Sequence, residues 1–596
     1  MVGHLIRLLL IFLVIGLNAC SPQPSLPLQI KAISPMERVE PFAAIHGEDS
    51  VNLFAAQREY EGFQAVIRAG QPGIKRVQVQ MTPLVNAQGD KLDQIKLYRE
   101  RYIQVTTSSP FSPYAPRFWP DLLLPQDTTA AVANSAYRAF PQDLAEGENL
   151  PVWVDVYVPA RARPGVYTGK LVVTADQQAA VELPVSLKVW NFTLPERSPL
   201  RTVFGTNGYR IAEIYGFERT GESATDNQLI RAYNDFLLDH YLSPESFWDA
   251  TPESDANGLP NFKRHFAGLG TVTENMQHYL QTKQASAYTY VFADHYPFSD
   301  PLGKDNAKAR RFMQQYAQWC HHYAGQERCY TDPSFVDEPD TPQAYEYARR
   351  WGDFFDALTF PAGQSIRYQV SEPPLNENPT LGNLQGKVDV WIPKFYDVWR
   401  DVDYLHKNVI GQRVAAGEEV WAYTSLVLDF NEYKKLNPRA DPAKGNYPPV
   451  WQMDFPAINY RLPLWLLHQY GITGLGYWDT VSWSKGTDIW NNAASFISEH
   501  PPGIVFNGDG LLIYPGTQER TGKNEPLPSL RLKWLRDAIE DYQYIDLLEK
   551  AGEKPFVSQQ IHRFARHWGD WDNAPVLLMQ VRQALGEKLE ALHRNK

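Results

Sequence analysis

The hydrophobic pattern changes character near Pro195. Before it, from about Leu28 to Leu194, short runs mix alternating apolar positions with β-branched residues, and Pro151–Pro159 alternates strictly. A return strand, Gly169–Thr174, follows a turn signal at Pro164-Gly165. Short strands at close spacing, with few helical stretches, are typical of an antiparallel β-sandwich. The sequence therefore predicts a β-sandwich domain over residues 29–194.

Beyond Pro195, strand-like runs alternate with helical ones, which is the pattern of parallel βαβ units. The predicted strands are 202–205, 242–248, 286–292, 329–337, 365–370, 388–395, 419–425 and 474–479, and the predicted helices include 226–239, 307–323, 342–358 and 457–470. This strand count predicts a (β/α)8 TIM barrel over residues 195–551. We expect an amphipathic helix at about 530–550 to close the barrel, followed by a helical C-terminal tail, residues 552–596.

The first residues have the features of a targeting segment. Arg7 is followed by the apolar run Leu8–Leu17, which is shorter than the roughly 20 residues of a membrane-spanning helix. Leu17-Asn18-Ala19-Cys20 resembles the lipobox of bacterial lipoproteins, which implies a signal peptide over residues 1–19, lipidation of Cys20 and a tether over residues 20–28. The implied location is the cell envelope, facing the periplasm or the exterior, and the outer membrane if the host is Gram-negative. A plain secretory signal with a chance cysteine is the alternative.

The net charge and the cysteine content of the chain limit which partners and cofactors it is expected to bind. The formal net charge of -11 gives no electrostatic reason to bind nucleic acid. Cys320 and Cys329 have no metal-site partners near them in the sequence, so we predict no metal and no cofactor. In an oxidising envelope the two cysteines form a disulfide or remain two buried thiols, and the sequence does not choose between these.

The acidic pair Asp337-Glu338 ends a strand-like run and is stopped by Pro339. Thr341-Pro342 then has the features of a helix start, with Thr341 as the N-cap and Pro342 in the first turn. A strand, an acidic turn and a helix place the pair at the carboxyl end of a parallel strand, where active sites collect. The alternative is a capped loop whose acids only favour the helix N-terminus.

Further polar and aromatic residues lie within the later predicted strands, close them or follow them. Flat aromatic side chains provide apolar platforms on which sugar rings stack. As a set placed at strand ends, these residues exceed what packing needs, and we predict that they bind substrate: Tyr396, Asp397, Trp421, Tyr423, Trp478 and Asp479.

Five motifs together resemble glycoside hydrolase family 123, and more closely still the domain-of-unknown-function family 4091 grouped with it. They are Phe335-Val336-Asp337-Glu338-Pro339, Val388–Pro393, Glu419–Thr424, Gly471–Trp478 and Leu535–Tyr542. The resemblance implies a retaining β-N-acetylgalactosaminidase that uses the 2-acetamido oxygen of its own glycan substrate as the nucleophile. It also implies that Glu338 is the general acid and then the base, and that Asp337 orients the acetamide N–H.

Two other functions remain open from the sequence. In one, the same pocket cleaves another sugar with two carboxylates, and Asp479, Glu372 or Asp397 is the nucleophile. In the other, the chain is a non-catalytic glycan-binding lipoprotein of the envelope. Neighbouring side chains on a regular strand point to opposite faces. Both members of the acidic pair therefore enter one pocket only if the backbone leaves strand geometry there.

Overall fold

A computed structural model describes residues 28–594 except 128–133, 293–295, 334–335, 362–363, 376–377, 427–447, 484–485 and 500–501. The predicted signal peptide, Cys20 and nearly all of the tether lie outside the described residues, as does Phe335 of the first motif. Two sheet-containing units make up the rest: a sheet-rich N-terminal domain and a parallel sheet surrounded by helices.

The N-terminal domain consists of two facing sheets. Its strands are β1 (Gln29–Ile33), β2 (Val51–Gln57), β3 (Glu59–Arg68), β4 (Ile74–Met81), β5 (Leu84–Asn86), β6 (Lys91–Leu92), β7 (Ile95–Gln104), β8 (Phe118–Pro125), β9 (Gln142–Leu144), β10 (Asn149–Val158), β11 (Gly165–Thr174) and β12 (Val181–Thr193). One sheet has the order β1-β3-β10-β7-β8, and the other β2-β12-β11-β4-β9 with β5 and β6 beside it. The pairing is antiparallel as predicted, except that β2 runs parallel to β12.

The second unit is built on a parallel sheet. Among the described residues it has seven strands in the order β13-β21-β20-β19-β18-β17-β16. Their bounds are β13 (Arg201–Phe204), β16 (Tyr288–Phe292), β17 (Cys329–Pro333), β18 (Arg367–Val370), β19 (Val390–Trp391), β20 (Glu419–Thr424) and β21 (Gly474–Tyr477); β14 (His265–Phe266) and β15 (Gly270–Thr271) form a separate hairpin. Seven of the eight predicted strands are therefore present, most of them shorter than predicted.

The predicted strand at 242–248 is not a strand in the structure, so the eight-stranded barrel is not confirmed. The segment makes one parallel bridge, between Phe204 and Pro244, and Pro244 has no N–H to donate to a ladder. On the side of the segment that faces away from β13, a side chain takes the place of backbone pairing. There the Ser243 hydroxyl accepts a hydrogen bond from Ser286 N at 2.9 Å. The segment thereby links β13 to the chain that leads into β16 and closes a ring around the sheet's interior.

Helices cover the parallel sheet and continue to the C-terminus. They are α1 (Gly208–Tyr215), α2 (Ala224–Leu238), α3 (Val272–Gln277), α4 (Asn306–Ala324), α5 (Pro342–Asp356), α6 (Phe395–Trp399), α7 (Val409–Ala415), α8 (Ile458–Leu467), α9 (Gln518–Thr521), α10 (Leu530–Lys550), α11 (Lys554–Ile561) and α12 (Pro575–Arg594). Short antiparallel hairpins lie among the later ones: β22 (Ala494–Glu499) with β23 (Pro502–Asn507), β24 (Ile513–Gly516) with β25 (Glu525–Pro528), and β26 (Ala565–His567) with β27 (Asp570–Trp571). A disulfide joins Cys320 at the end of α4 to Cys329 at the start of β17. Among the described helices, none is long and apolar enough to cross a membrane.

Helix α10 has the predicted bounds but lies between the two units. It packs on α8 on one side and on the sandwich strands β3 and β8 on the other. Buried ion pairs cross this contact, such as Arg531 with Asp121 at 2.8 Å and Arg536 with Asp155 at 3.0 Å. The tail helix α12 also packs on the sandwich, where Arg582 pairs with Glu61 at 2.8 Å. Both helices therefore join the two units.

Candidate functional site

A cavity of about 380 Å³ opens at the carboxyl ends of the parallel strands. Among the described residues, the ends of six of the seven parallel strands contribute to it, all except β16, which is the geometry expected when parallel strands converge. Among the described residues, four acids line it together with polar, aliphatic and aromatic side chains: Glu245, Asp332, Asp337, Glu338, Gln369, Ser371, Ile392, Tyr423, Trp478 and Phe496. The two acids of the pair predicted from the sequence, Asp337 and Glu338, therefore line the same cavity.

The backbone leaves strand geometry just before the acidic pair. This departure is required if both acids are to enter one pocket. Strand β17 ends at Pro333, and Glu338 has a φ of 41°, in the left-handed region that residues other than glycine rarely adopt. Thr341 then caps α5 by accepting a hydrogen bond from Ala344 N at 3.2 Å, and Pro342 lies in the first turn. A conformation of this kind costs on the order of 1–3 kcal/mol and is typical of functional sites.

Two donors hold the Glu338 carboxylate. Lys394 Nζ donates to Glu338 Oε2 at 2.9 Å, and the Tyr423 hydroxyl donates to Oε1. The Glu338 side chain is 45% exposed and the Lys394 side chain 31%, so this pair lies at the open side of the cavity. Burial raises the pKa of the neighbouring Asp337, and the Glu338 charge adds to the rise, while a hydrogen bond with Ser371 and the charge of Lys394 oppose it.

Two further acids lie deeper in the cavity, and the sequence analysis missed both. Burial raises the pKa of Asp332 to about 8, and the charge of Glu245 contributes. Burial also raises the pKa of Glu245 to about 7, with contributions from Asp479 and Asp337. Gln369 Nε2 donates to Asp332 Oδ2 at 3.4 Å. Near neutral pH this end of the cavity therefore carries protonated or partly protonated carboxyls, which can both donate and accept hydrogen bonds.

The structure brings only part of the predicted binding set to the cavity. Tyr423 and Trp478 line it. Trp421, two residues before Tyr423 on the same face of β20, is fully buried beside Tyr330 in the sheet's interior. Two residues of strand are about 6.5 Å, so Trp421 lies one layer below the cavity and is not placed to bind substrate.

The other predicted residues lie around the cavity without lining it. Asp479 lines a neighbouring pocket, where its Oδ1 accepts from Thr480 N and Val481 N and its Oδ2 is 3.6 Å from Arg210. Tyr396 and Asp397 lie on α6, and the Tyr396 ring is 5.9 Å from that of Trp399. Glu372 accepts a hydrogen bond from the Tyr345 hydroxyl, and burial raises its pKa to about 7.

The residues that were missed share a weak sequence signal. Lys394 lies within the predicted strand 388–395 and Asp332 within the predicted strand 329–337, so each is a charged residue inside a predicted strand. Glu245 lies in the segment that was predicted as a strand and is not one.

The described residues contain no group of three or more His, Cys, Asp or Glu side chains placed to hold a metal ion.

Residues 38–175 match the family model of the glycoside hydrolase 123 N-terminal domain. The resemblance to family 123 is confirmed. A family 123 glycoside hydrolase from Clostridium perfringens, described in terms of glycolipid glycan hydrolysis, shares the fold of the chain: the TM-score is 0.65 at 14% identity, over 96% of this chain and 98% of that one. A Bacteroides ovatus GH5 xyloglucanase gives a TM-score of only 0.20 at 8% identity, over 86% of this chain and 100% of that one. No curated protein matches the chain in sequence.

Proposed function

We propose that the chain is a retaining glycoside hydrolase that removes a terminal N-acetylhexosamine, with β-linked N-acetylgalactosamine as the first candidate. The observation that carries the proposal is the acidic pair itself: Asp337 and Glu338 line one cavity, and a backbone turn directs both side chains into it. The match of residues 38–175 to the family 123 N-terminal domain supports the hydrolase class. We also interpret the closed ring of strands as a (β/α)8-type barrel with an irregular second strand.

The chemistry divides between the two acids. The acetamido oxygen of the bound sugar attacks C1, the bond from C1 to the leaving oxygen breaks, and Glu338 gives its proton to that oxygen. Asp337 accepts a hydrogen bond from the acetamide N–H and stabilises the cationic oxazolinium ring that forms. Water then attacks C1, the bond from C1 to the acetamido oxygen breaks and restores the acetamide, and Glu338 takes the proton of that water. Lys394 and Tyr423 donate hydrogen bonds to the two Glu338 carboxyl oxygens and so fix the position of this group at the open side of the cavity.

Substrate assistance is favoured over a second catalytic carboxylate because the proposed nucleophiles are poorly placed. Asp479 Oδ1 accepts hydrogen bonds from two backbone N–H groups and its Oδ2 lies near Arg210, and neither Glu372 nor Asp397 lines the cavity. Asp332 and Glu245 do line it, but their raised pKa values keep them wholly or partly protonated at neutral pH. A protonated carboxyl is a poor nucleophile.

The first test measures the hydrolysis of paired aryl glycosides with and without the 2-acetamido group. We expect cleavage of the acetamido sugar alone, and we expect Glu338→Gln to lower kcat by at least about 10²-fold with little change in the thermal melt. Glu346→Gln, an exposed acid on α5, is the matched control and should keep its activity. A large loss of stability with a small loss of rate would assign Glu338 a structural role.

The second test separates the mechanisms. A thiazoline copy of the oxazolinium ring should inhibit strongly, and Asp337→Asn should weaken that inhibition because it removes the negative charge beside the cation. Weak thiazoline inhibition, together with azide rescue of Asp479→Ala, Glu372→Ala or Asp397→Ala, would instead establish a protein nucleophile. A chain that binds the sugar and cleaves none of these substrates would be a glycan-binding protein.

A further inference from the structure

A second pocket, of about 750 Å³, opens beside the catalytic cavity. We call it the arginine pocket, and its defining residues are Arg210, Arg219, Arg264, Tyr209, Trp248 and Tyr296. It shares Gly205, Glu245 and Trp478 with the cavity, so the two spaces are contiguous. A sugar held in the cavity can therefore extend a substituent into the arginine pocket.

Two of the three arginines already have acidic neighbours. Arg264 forms an ion pair with Glu253. Arg210 Nε lies 3.6 Å from Asp479 Oδ2, and its Nη1 donates to Ser482 Oγ at 2.9 Å. Arg219 differs, because no carboxylate lies within ion-pair distance of it in the part of the chain that the structure describes. The positive charge of Arg219 is the one available for a ligand.

The Arg219 guanidinium is held in a fixed orientation. Its centre is 3.9 Å from the centroid of the Tyr209 ring and 4.9 Å from that of Trp248, so it is stacked between two aromatic side chains. Its Nε is buried and has no hydrogen-bond partner within the described structure. Arg219 also lines the pocket, and a planar, oriented guanidinium is suited to the bidentate recognition of an anion.

Helix α1 adds to the positive electrostatic potential of the arginine pocket. Its first residue, Gly208, lines the arginine pocket, and the amino end of a helix carries partial positive charge. Glu245, the acid at the boundary with the cavity, opposes it only in part, because burial raises its pKa to about 7. The pocket therefore favours a negatively charged group.

The position of the arginine pocket indicates which part of the sugar enters it. Glu338 is held by Lys394 after β19 and by Tyr423 on β20, whereas the pocket lies after β13, at 245–253 and after β16. In the ring β13-β21-β20-β19-β18-β17-β16, closed by the segment that contains Ser243, these two groups lie on opposite sides. Glu338 faces the leaving oxygen, so the pocket faces ring positions remote from C1.

We propose that the arginine pocket binds an anionic ester, a sulfate or a phosphate, on the terminal N-acetylhexosamine at a position remote from the anomeric carbon. Arg219 is the residue that binds the charged oxygens of the ester. This assignment rests on the proposed function, since it places the terminal sugar in the catalytic cavity. It names the substrate class as N-acetylhexosamines that carry an acidic ester.

The experiment compares aryl N-acetylhexosaminides that are unsubstituted, 4-O-sulfated, 6-O-sulfated or 6-O-phosphorylated. For the wild-type chain we expect kcat/KM for at least one anionic sugar to exceed that for the unsubstituted sugar by tenfold or more. The sulfate and phosphate arms show which ester is preferred. In Arg219→Gln the ratio should fall to about one, mainly through KM, whereas Arg219→Lys should keep part of it.

Arg117→Gln is the matched control, because Arg117 also stacks on two rings, those of Tyr114 and Trp119, but lies in the sandwich domain. It should keep the wild-type ratio. A wild-type enzyme that cleaves the unsubstituted sugar as well as every anionic one would overturn the assignment and leave the proposed function intact.

If no aryl glycoside is cleaved, the proposed function fails and binding decides the assignment separately. Calorimetry with the free 4- and 6-sulfated and 6-phosphorylated N-acetylhexosamines then compares the wild-type chain with Arg219→Gln. Binding that Arg219→Gln weakens tenfold or more supports the pocket. Equal binding by both chains, or none by the wild type, overturns it.

Discussion

The buried ion pairs between the sandwich and α10 make a quantitative stability prediction, which centres on Asp155. This carboxylate on β10 lies 2.8 Å from Lys533 Nζ and 3.0 Å from an Arg536 terminal nitrogen, and it accepts a hydrogen bond from Trp153 Nε1 at 2.6 Å. The three charged side chains are 1–4% exposed. Although burial raises the pKa of Asp155, the two cations outweigh it and hold the pKa below its ordinary value.

Replacing Asp155 by Asn leaves the shape almost unchanged but removes the charge that compensates two buried cations. Breaking a buried pair in this way costs about 3–5 kcal/mol, because an uncompensated charge remains. Lys533→Met should cost less, since Arg536 still neutralises Asp155 and burial already lowers the pKa of Lys533 to about 8. The double variant should recover part of the stability that Asp155→Asn loses, so its total loss should be smaller than the sum of the two single losses in a double-mutant cycle.

Urea unfolding at pH 7, followed by tryptophan fluorescence and by far-UV circular dichroism, measures these losses. With an m-value of about 3 kcal/mol/M, Asp155→Asn should lower the midpoint by about 1–1.7 M. The control is Asp49→Asn, which removes an exposed pair with Lys31 at 2.7 Å, close to the 2.8 Å between Asp155 and Lys533, and should cost less than about 1 kcal/mol. Because the folded-state pKa of Asp155 is depressed, its contribution should persist above pH 4 and disappear as pH falls further. Equal losses for Asp155→Asn and Asp49→Asn would refute the reasoning.

Two other predictions concern the cavity and the anchor. The pKa of Glu245 is raised in the folded chain, so its stability cost is absent below about pH 4.5 and complete above about pH 7; Glu245→Gln should therefore raise the unfolding free energy by about 2–3 kcal/mol at pH 8 and much less at pH 4.5. A gain that does not change with pH, or the same gain in Glu346→Gln, would contradict the buried-acid interpretation. We further propose that Cys20 carries a lipid anchor. Cys20→Ala should leave a chain that no longer partitions with membranes, and unchanged fractionation and mass would disprove this.

Much of the fold could be predicted because its signals are local. Thr341-Pro342 defines the start of α5 through an N-cap and a first-turn proline, and the apolar spacing of 530–550 gives the bounds of α10. The acidic pair follows from the same local logic, since Pro339 and the cap require the backbone to leave strand geometry before the helix begins. The observed φ of 41° at Glu338 is how it does so.

Only the tertiary structure decided which side chains meet. Trp421 and Tyr423 share a face of β20, and it is depth in the ring that buries one and exposes the other to the cavity. The segment 242–248 has strand-like residues, but Pro244 and the Ser243 hydroxyl replace its ladder with side-chain bonds. Lys394 reaches Glu338 across 56 residues, and Asp155 reaches α10 across 381, so no local pattern marks either contact. Sequence determines periodicity and caps over a few residues, whereas these charges are placed by how the ring closes and how the two units dock.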